Sequence, residues 1–203
     1  VSPMLMSLGL DGFSYALVDD PSLIDTVLGR YADWSIAVLH HVKELGVDYL
    51  WTFDDMAYKT GPMFSPKVLR DVLMPHMLRV SQSIHETGLP WIFHSDGDLM
   101  SLLDDLLTMG FDALHPLEPG PMDIVGVKNA YGDRLCLVGN IDLHYTLTMG
   151  SPAEVEAEVK ERIETIGVGG GYMISSANSI TSYCKIENVQ AMIEAIRKYG
   201  AYT

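Results

Sequence analysis

A glycine set directly before an apolar run recurs along this chain, and it leaves few folds open. Gly46-Val47-Asp48, Gly88-Leu89-Pro90 and Gly110-Phe111-Asp112 each close a helical pattern and open a strand. A glycine that stops a helix supplies the left-handed turn other residues resist. The unit that repeats is helix, glycine, short apolar strand, polar cluster, helix, without a repeat in sequence. Alternating strands and helices imply a parallel sheet covered by helices.

The sharpest copy is Pro90-Trp91-Ile92-Phe93-His94-Ser95-Asp96-Gly97-Asp98. Its strand is too apolar to face water on either side, as in a sheet buried on both faces. The residues that follow bind metals or move protons. In parallel α/β folds chemistry sits at the carboxyl ends of the strands.

Taken in order, Met4 to Leu10 reads as a first strand, with a loop through Gly9, Asp11 and Gly12. Asp20-Pro21 starts a helix that reaches Leu45 and stops at Gly46. Val47 to Phe53 is a strand closed by Asp54-Asp55. Ser65-Pro66 opens a helix to Thr87, which Pro75 should kink. Beyond the central stretch come a helix from Leu99 to Met109, a strand from Ala113 to Leu117 and a short helix from Met122 to Ala130. Leu135 to Val138 is the next strand. Ser151-Pro152-Ala153-Glu154 forms a capping box for a helix to Ile166. Tyr172 to Ile174 is the last strand and Glu187 to Tyr199 the last helix.

Neither a Gly-x-Gly-x-x-Gly nor a Walker-type loop is present, and polar residues follow nearly every strand. That favours a (β/α)8 barrel over an open doubly wound sheet, because a barrel brings every such loop to one mouth. Six strands are counted where a closed barrel needs about eight. The expectation is a single domain over residues 1–203 that lacks the first two βα units of such a barrel. Val1-Ser2-Pro3-Met4 has no initiator Met and no basic n-region or cleavage site, so the chain is expected to begin mid-protein without a signal peptide.

Charge narrows the function. A net charge of −14 argues against nucleic acid and anionic membrane surfaces. No apolar stretch is long enough to span a bilayer. The two cysteines, Cys136 and Cys184, have no metal-ligand spacing; Cys136 reads as a small core residue, and a cytoplasmic location is expected.

The residues that follow the strands are Asp54 and Asp55; His94, Asp96 and Asp98; His115 and Glu118; Asn140, Asp142 and His144; Ser175, Ser176 and Asn178. Around one mouth they could share a divalent metal or divide their pKa values between acid and base roles. His94-x-Asp96 is the leading pair, since residues two apart in extended chain point the same way. The plainer reading is that Asp96 caps the following helix. Adjacent carboxylates point apart, so at most one of Asp54 and Asp55 belongs in the site. His115 reads equally well as a buried structural histidine. Asn178 can be neither acid nor base, but can orient a substrate.

The chain resembles the uroporphyrinogen decarboxylase superfamily over almost its whole length. The resemblance rests on Gly46-Val47-Asp48 with Phe53-Asp54-Asp55, on His94-Ser95-Asp96-Gly97, and on Gly139-Asn140-Ile141-Asp142-Leu143. It continues through Gly170-Gly171-Tyr172-Met173-Ile174 to Glu187-Asn188-Val189-Gln190-Ala191-Met192. It implies a (β/α)8 barrel of that type, here strands three to eight. The superfamily holds the haem-pathway decarboxylase and zinc-dependent methyltransferases that work with corrinoid proteins. By the resemblance, the decarboxylase's active-site Tyr corresponds to Tyr15, its Ser after the fourth strand to Asp55, and its His after the last strand to Asn178. The methyltransferases' zinc-binding His corresponds to His94, and their two Cys ligands to Asp96 and Asn178. Thiolates are thus replaced by a harder, oxygen-rich set.

These implications set the expectations. The first is methyl transfer between a small-molecule substrate and a corrinoid protein. His94, Asp96 and Glu118 would hold a divalent metal such as zinc. Tyr15, Asp55, Asp96 and Asn178 would be catalytic, and Asp54, His115, Asn140 and Ser176 would bind substrate. The alternative is a cofactor-free decarboxylase of uroporphyrinogen or a smaller carboxylate. A third reading is a non-catalytic fragment or binding subunit. Open strand edges favour pairing with a partner, so a homo-oligomer is expected.

Overall fold

The computed structural model describes residues 2–202; Val1 and Thr203 lie outside them. Five parallel strands form one sheet in the order β1-β4-β5-β6-β7. They are β1 Leu50–Phe53, β4 Trp91–His94, β5 Ala113–His115, β6 Cys136–Ile141 and β7 Tyr172–Ser176. A two-stranded antiparallel hairpin, β2 Ala57–Tyr58 with β3 Gly61–Pro62, projects from the loop after β1.

The expected first strand is a helix instead. α1 spans Ser2–Asp19 and bends at Gly9, whose φ is 69°. Met4 to Leu10 is an apolar run without clear period, so periodicity alone cannot separate strand from helix. Its Leu and Met residues are good helix formers and none is β-branched. Met4 and Phe13 settle it by burying themselves completely. The sheet therefore has five parallel strands among the described residues, one fewer than the sequence reading gives.

The other elements follow the sequence closely. α2 Pro21–Val42 is capped by Asp20, whose Oδ1 accepts the Leu23 N–H at 3.0 Å. A 3-10 turn, Lys43–Leu45, ends it at Gly46 in the left-handed conformation. α3 Pro66–Val68, a π turn at Leu69–Leu73 and α4 Met74–Thr87 make one continuous rod. The expected disturbance at Pro75 takes the form of that π turn, in which the Met74 N–H reaches back to the Leu69 carbonyl. α5 Leu103–Leu107, α6 Ile124–Tyr131, α7 Pro152–Ile166 and α8 Ile186–Tyr199 complete the chain. The Ser151–Glu154 capping box is formed.

Register explains the two faces of the sheet. Trp51 pairs with Ile92, Ile92 with Ala113, and Ala113 with Cys136, so these side chains share one face. There Ile92, Ala113 and Val138 form a small cluster with Cys136 packed on it. Trp91, Phe93, Leu114 and Leu137 point the other way, into the main core beneath the helices. At the β1 edge the first face is open: Trp51 is 45% exposed and Phe53 72%. Among the described residues no helix is long and apolar enough to cross a membrane.

Candidate metal centre

The carboxyl ends of β1 and β4 lie side by side because Phe53 pairs with His94. The Asp54 N–H continues the ladder onto the His94 carbonyl at 2.9 Å. One residue later the two loops lock together: the Asp96 N–H donates to Asp55 Oδ1 at 3.0 Å. The buried Ser95 hydroxyl accepts the Met56 N–H, also at 3.0 Å. Gly97 lies so close to the hairpin that a Cβ there would sit 2.5 Å from the Ala57 carbonyl oxygen. Its φ of 87° also calls for glycine.

Three side chains converge on one point. His94 Nε2 is 3.7 Å from Asp55 Oδ1 and 3.7 Å from Asp96 Oδ1. One ligand atom from each of the three lies within 4.8 Å of the others. With zinc–ligand bonds of about 2.0–2.2 Å, tetrahedral ligands stand roughly 3.3–3.6 Å apart, so small side-chain rotations suffice. One imidazole and two carboxylates suit a borderline or hard divalent ion. Asp96 is oriented from across the sheet by Asn178, whose Nδ2 donates to Asp96 Oδ2 at 2.6 Å.

Behind this triad lies a second imidazole. His94 Nδ1 and His115 Nδ1 are 2.6 Å apart, the register partners His94 and His115 facing each other across adjacent strands. His115 is 7% exposed, and Trp51 meets its ring edge-on at 5.0 Å. Burial, and then the charge of His94, push the His115 pKa down to about 4, against smaller opposing effects of the Ser176 backbone and Asp96.

In front lies a cavity of about 350 Å³, lined by Asp96, Glu118, Asp142, His144, Asn178 and Tyr183 among others. Its rim is tied by the hairpin. Lys59 bonds Glu118 Oε1 at 3.1 Å and touches the His144 ring. Glu118 Oε2 accepts the Gly97 N–H at 3.0 Å. Asp142 accepts the N–H groups of His144 and Tyr145, closing its turn.

Of the expected metal set, His94 and Asp96 come together, and the third side chain beside them is Asp55. Glu118 stands instead at the rim, engaged by Gly97 and Lys59. Asp54 and Asp55 do point apart: Asp54 Oδ1 accepts both the N–H and the hydroxyl of Ser2 at 2.6 Å. It borders an apolar cavity of about 320 Å³ between β1, β4, α2 and α4. Tyr15 lies on α1, 72% exposed, and is not brought into the cluster. Its expected place came from the resemblance to the decarboxylase's active-site Tyr. Asn140 is buried, its Nδ2 donating to the Leu117 carbonyl at 2.6 Å, and its Oδ1 has no partner among the described residues. The Ser176 hydroxyl donates to the Asn178 carbonyl at 2.7 Å, shaping the turn that carries Asn178. Sequence reasoning missed the roles of Lys59, Ser95 and Gly97. Their position in loops directly after strands was the available signal.

The chain is 27% identical over 179 residues to the methylcobamide:CoM methyltransferase MtaA of Methanosarcina barkeri, covering 88% of this chain and 50% of that protein. It is 28% identical over 187 residues to the uroporphyrinogen decarboxylase of Methylococcus capsulatus, covering 91% and 51%. The chain thus spans about half the length of these relatives. In structure it is similar to a methyltransferase from Methanosarcina mazei, with a TM-score of 0.77 at 24% identity, covering 95% of this chain and 54% of that one. That likeness shows the fold, an α/β parallel sheet of the kind found in that barrel. Residues 3–199 match the sequence model of uroporphyrinogen decarboxylase (URO-D), and the chain belongs to that family.

Proposed function

We propose that this chain carries a metal-assisted methyl-transfer site, moving a methyl group between a small substrate and a corrinoid protein. The observation that carries the reading is the convergence of Asp55, His94 and Asp96 on one cation-sized point. Similarity to a relative named as a methylcobamide:CoM methyltransferase supports it. A divalent cation such as zinc, when bound, would polarise the substrate's nucleophilic atom and ease loss of its proton.

The chain's own residues do the rest. Asn178 holds Asp96 in place. The 350 Å³ cavity beside Asp96 takes the small substrate, with Tyr183 and His144 on its walls. Lys59, drawn to Glu118 and His144, closes the rim from the hairpin. Ser176 shapes the turn that brings Asn178 to this wall, and buried Asn140 holds the Leu117 carbonyl beneath it. The open edges β1 and β7, with Trp51 and Phe53 exposed, support association with further β/α units. The carboxylates Asp55, Asp96, Glu118 and Asp142 oppose a many-carboxylate porphyrinogen by Coulomb repulsion, which makes decarboxylation the weaker reading.

The test is methyl transfer from methylcobalamin to a panel of small thiols and phenols, followed by the cobalamin absorbance. Transfer that requires added zinc and disappears in Asp96→Ala supports the reading. Release of CO₂ from a carboxylate panel, with no methyl transfer by the zinc-loaded protein, would overturn it.

A further inference from the structure

The cavity of about 320 Å³ between β1, β4, α2 and α4 has no part in the metal centre. Its walls are mostly apolar, with Tyr31 and Trp34 from α2 and Trp91 and Phe93 from β4 among them. They are braced rather than slack. The Trp91 indole N–H donates to Thr52 Oγ1 at 2.8 Å, and Phe93 stacks on Phe111 with ring centroids 5.3 Å apart. Two polar bridges tie α4 to α2: His76 Nε2 to Asp25 Oδ1 at 2.9 Å, and Arg79 to Asp33. An empty apolar space costs a fold the contacts its lining would otherwise make. Helices braced across such a space hold it open. The lining also includes a polar atom without a partner. His76 is largely buried, and its Nδ1 has none among the described residues. A carboxylate only accepts, so the bond to Asp25 uses the Nε2 proton and leaves Nδ1 over. A buried polar atom in that position calls for a partner. Trp34 and Val38, both on the lining and both exposed, open the cavity to solvent.

We propose that this cavity binds a neutral, flat, apolar molecule of two fused rings that carries one hydroxyl. An apolar cavity of about 150 Å³ takes one benzene ring, so a cavity twice that size takes two. Aromatic walls suit a flat ring by edge and face contacts. The hydroxyl supplies the partner that His76 Nδ1 lacks, as the few polar groups of an apolar ligand pocket do. Asp54 borders the cavity, and its carboxylate opposes an anionic ligand. The site stands apart from Asp55, His94 and Asp96 and does not rest on the metal-site reading.

The probes are naphthol, naphthalene and naphthoate, titrated by calorimetry into the purified chain with isotope-labelled methionine methyl groups. Met77 and Met109 line the cavity, whereas Met173 lies exposed on β7, so their NMR signals locate the probe. We expect one naphthol per chain, with shifts at Met77 and Met109 and none at Met173. Naphthalene should bind about tenfold more weakly for want of the hydrogen bond, and naphthoate not measurably. In His76→Leu the two neutral probes should bind alike. Ala32→Phe, which fills the cavity from α2, should abolish binding. No binding of naphthol by the wild type, equal binding of naphthol and naphthalene, or binding that shifts Met173 and leaves Met77 and Met109 unmoved would overturn the proposal. So would Met77 and Met109 signals that change with protein concentration alone, since a second copy of the chain would then be the occupant. If either variant fails to fold, the ranking of the three probes and the methyl shifts in the wild type still decide it.

Discussion

Asn178 and Asp96 stand 82 positions apart in sequence and are joined by a 2.6 Å hydrogen bond across the mouth of the sheet. The amide occupies Oδ2 of the carboxylate, so Oδ1 is the atom left facing His94. A neutral donor to a charged oxygen orients it without competing for its charge. Asn178→Ala should therefore raise the Kd for zinc about tenfold, as loss of a group that orients a ligating side chain does. Calorimetric titration with zinc checks this.

Gly97 is where the loop that carries Asp96 passes under the hairpin. Any Cβ there would meet main-chain atoms of Ala57 and Tyr58, at 2.5 and 2.8 Å from their carbonyl oxygens. Main chain cannot turn aside as a side chain can, and the positive φ adds strain. Gly97→Ala should destabilise the fold by about 2–4 kcal/mol and disorder the Asp96 loop. Urea unfolding measures the first effect, and loss of zinc binding the second.

His115 gives the metal-free protein a pH dependence. Its folded pKa is about 4, against about 6.5 when unfolded. As pH falls through 6.5 the unfolded chain takes up a proton that the folded one refuses until about pH 4. Stability from this group is thus complete above pH 6.5 and lost progressively between 6.5 and 4, by up to about 3 kcal/mol. His115→Asn should remove this component, flattening the fall in urea midpoint across that window relative to wild type. Equal slopes in the two proteins would refute it.

Lys59 tests the rim separately from the centre. Its ion pair with Glu118 is half-exposed, so Lys59→Ala should cost less than about 1 kcal/mol of stability. Freed from Glu118, the hairpin no longer closes the cavity, and the substrate KM should rise several-fold with zinc affinity unchanged. A loss of zinc instead would place Lys59 in the metal centre.

Most of the fold was legible because its punctuation is chemical. Gly46, Gly88 and Gly110 stop helices with a left-handed turn, and Asp20, Ser65 and Ser151 start them with a side-chain cap. Each signal is local, so it survives without tertiary context. Met4 to Leu10 carries no such signal, and the burial of Met4 and Phe13 decided it. His94 and Asp96 were legible for the same local reason, two residues apart at a strand end. The third side chain of the cluster was not, because the place of Asp55 there rather than Glu118 depends on the pairing of β1 with β4 and on Gly97 and Lys59 capturing Glu118. The contact between His94 and His115 is a product of strand register, which no spacing within either strand reveals.

The central claim is that Asp55, His94 and Asp96 hold a cation. The most direct measurement is metal content by mass spectrometry on protein purified without added metal, for wild type and His94→Ala. The account predicts one divalent ion per wild-type chain, and its loss in a folded His94→Ala. No metal in the wild type, or equal metal in both proteins, would contradict it.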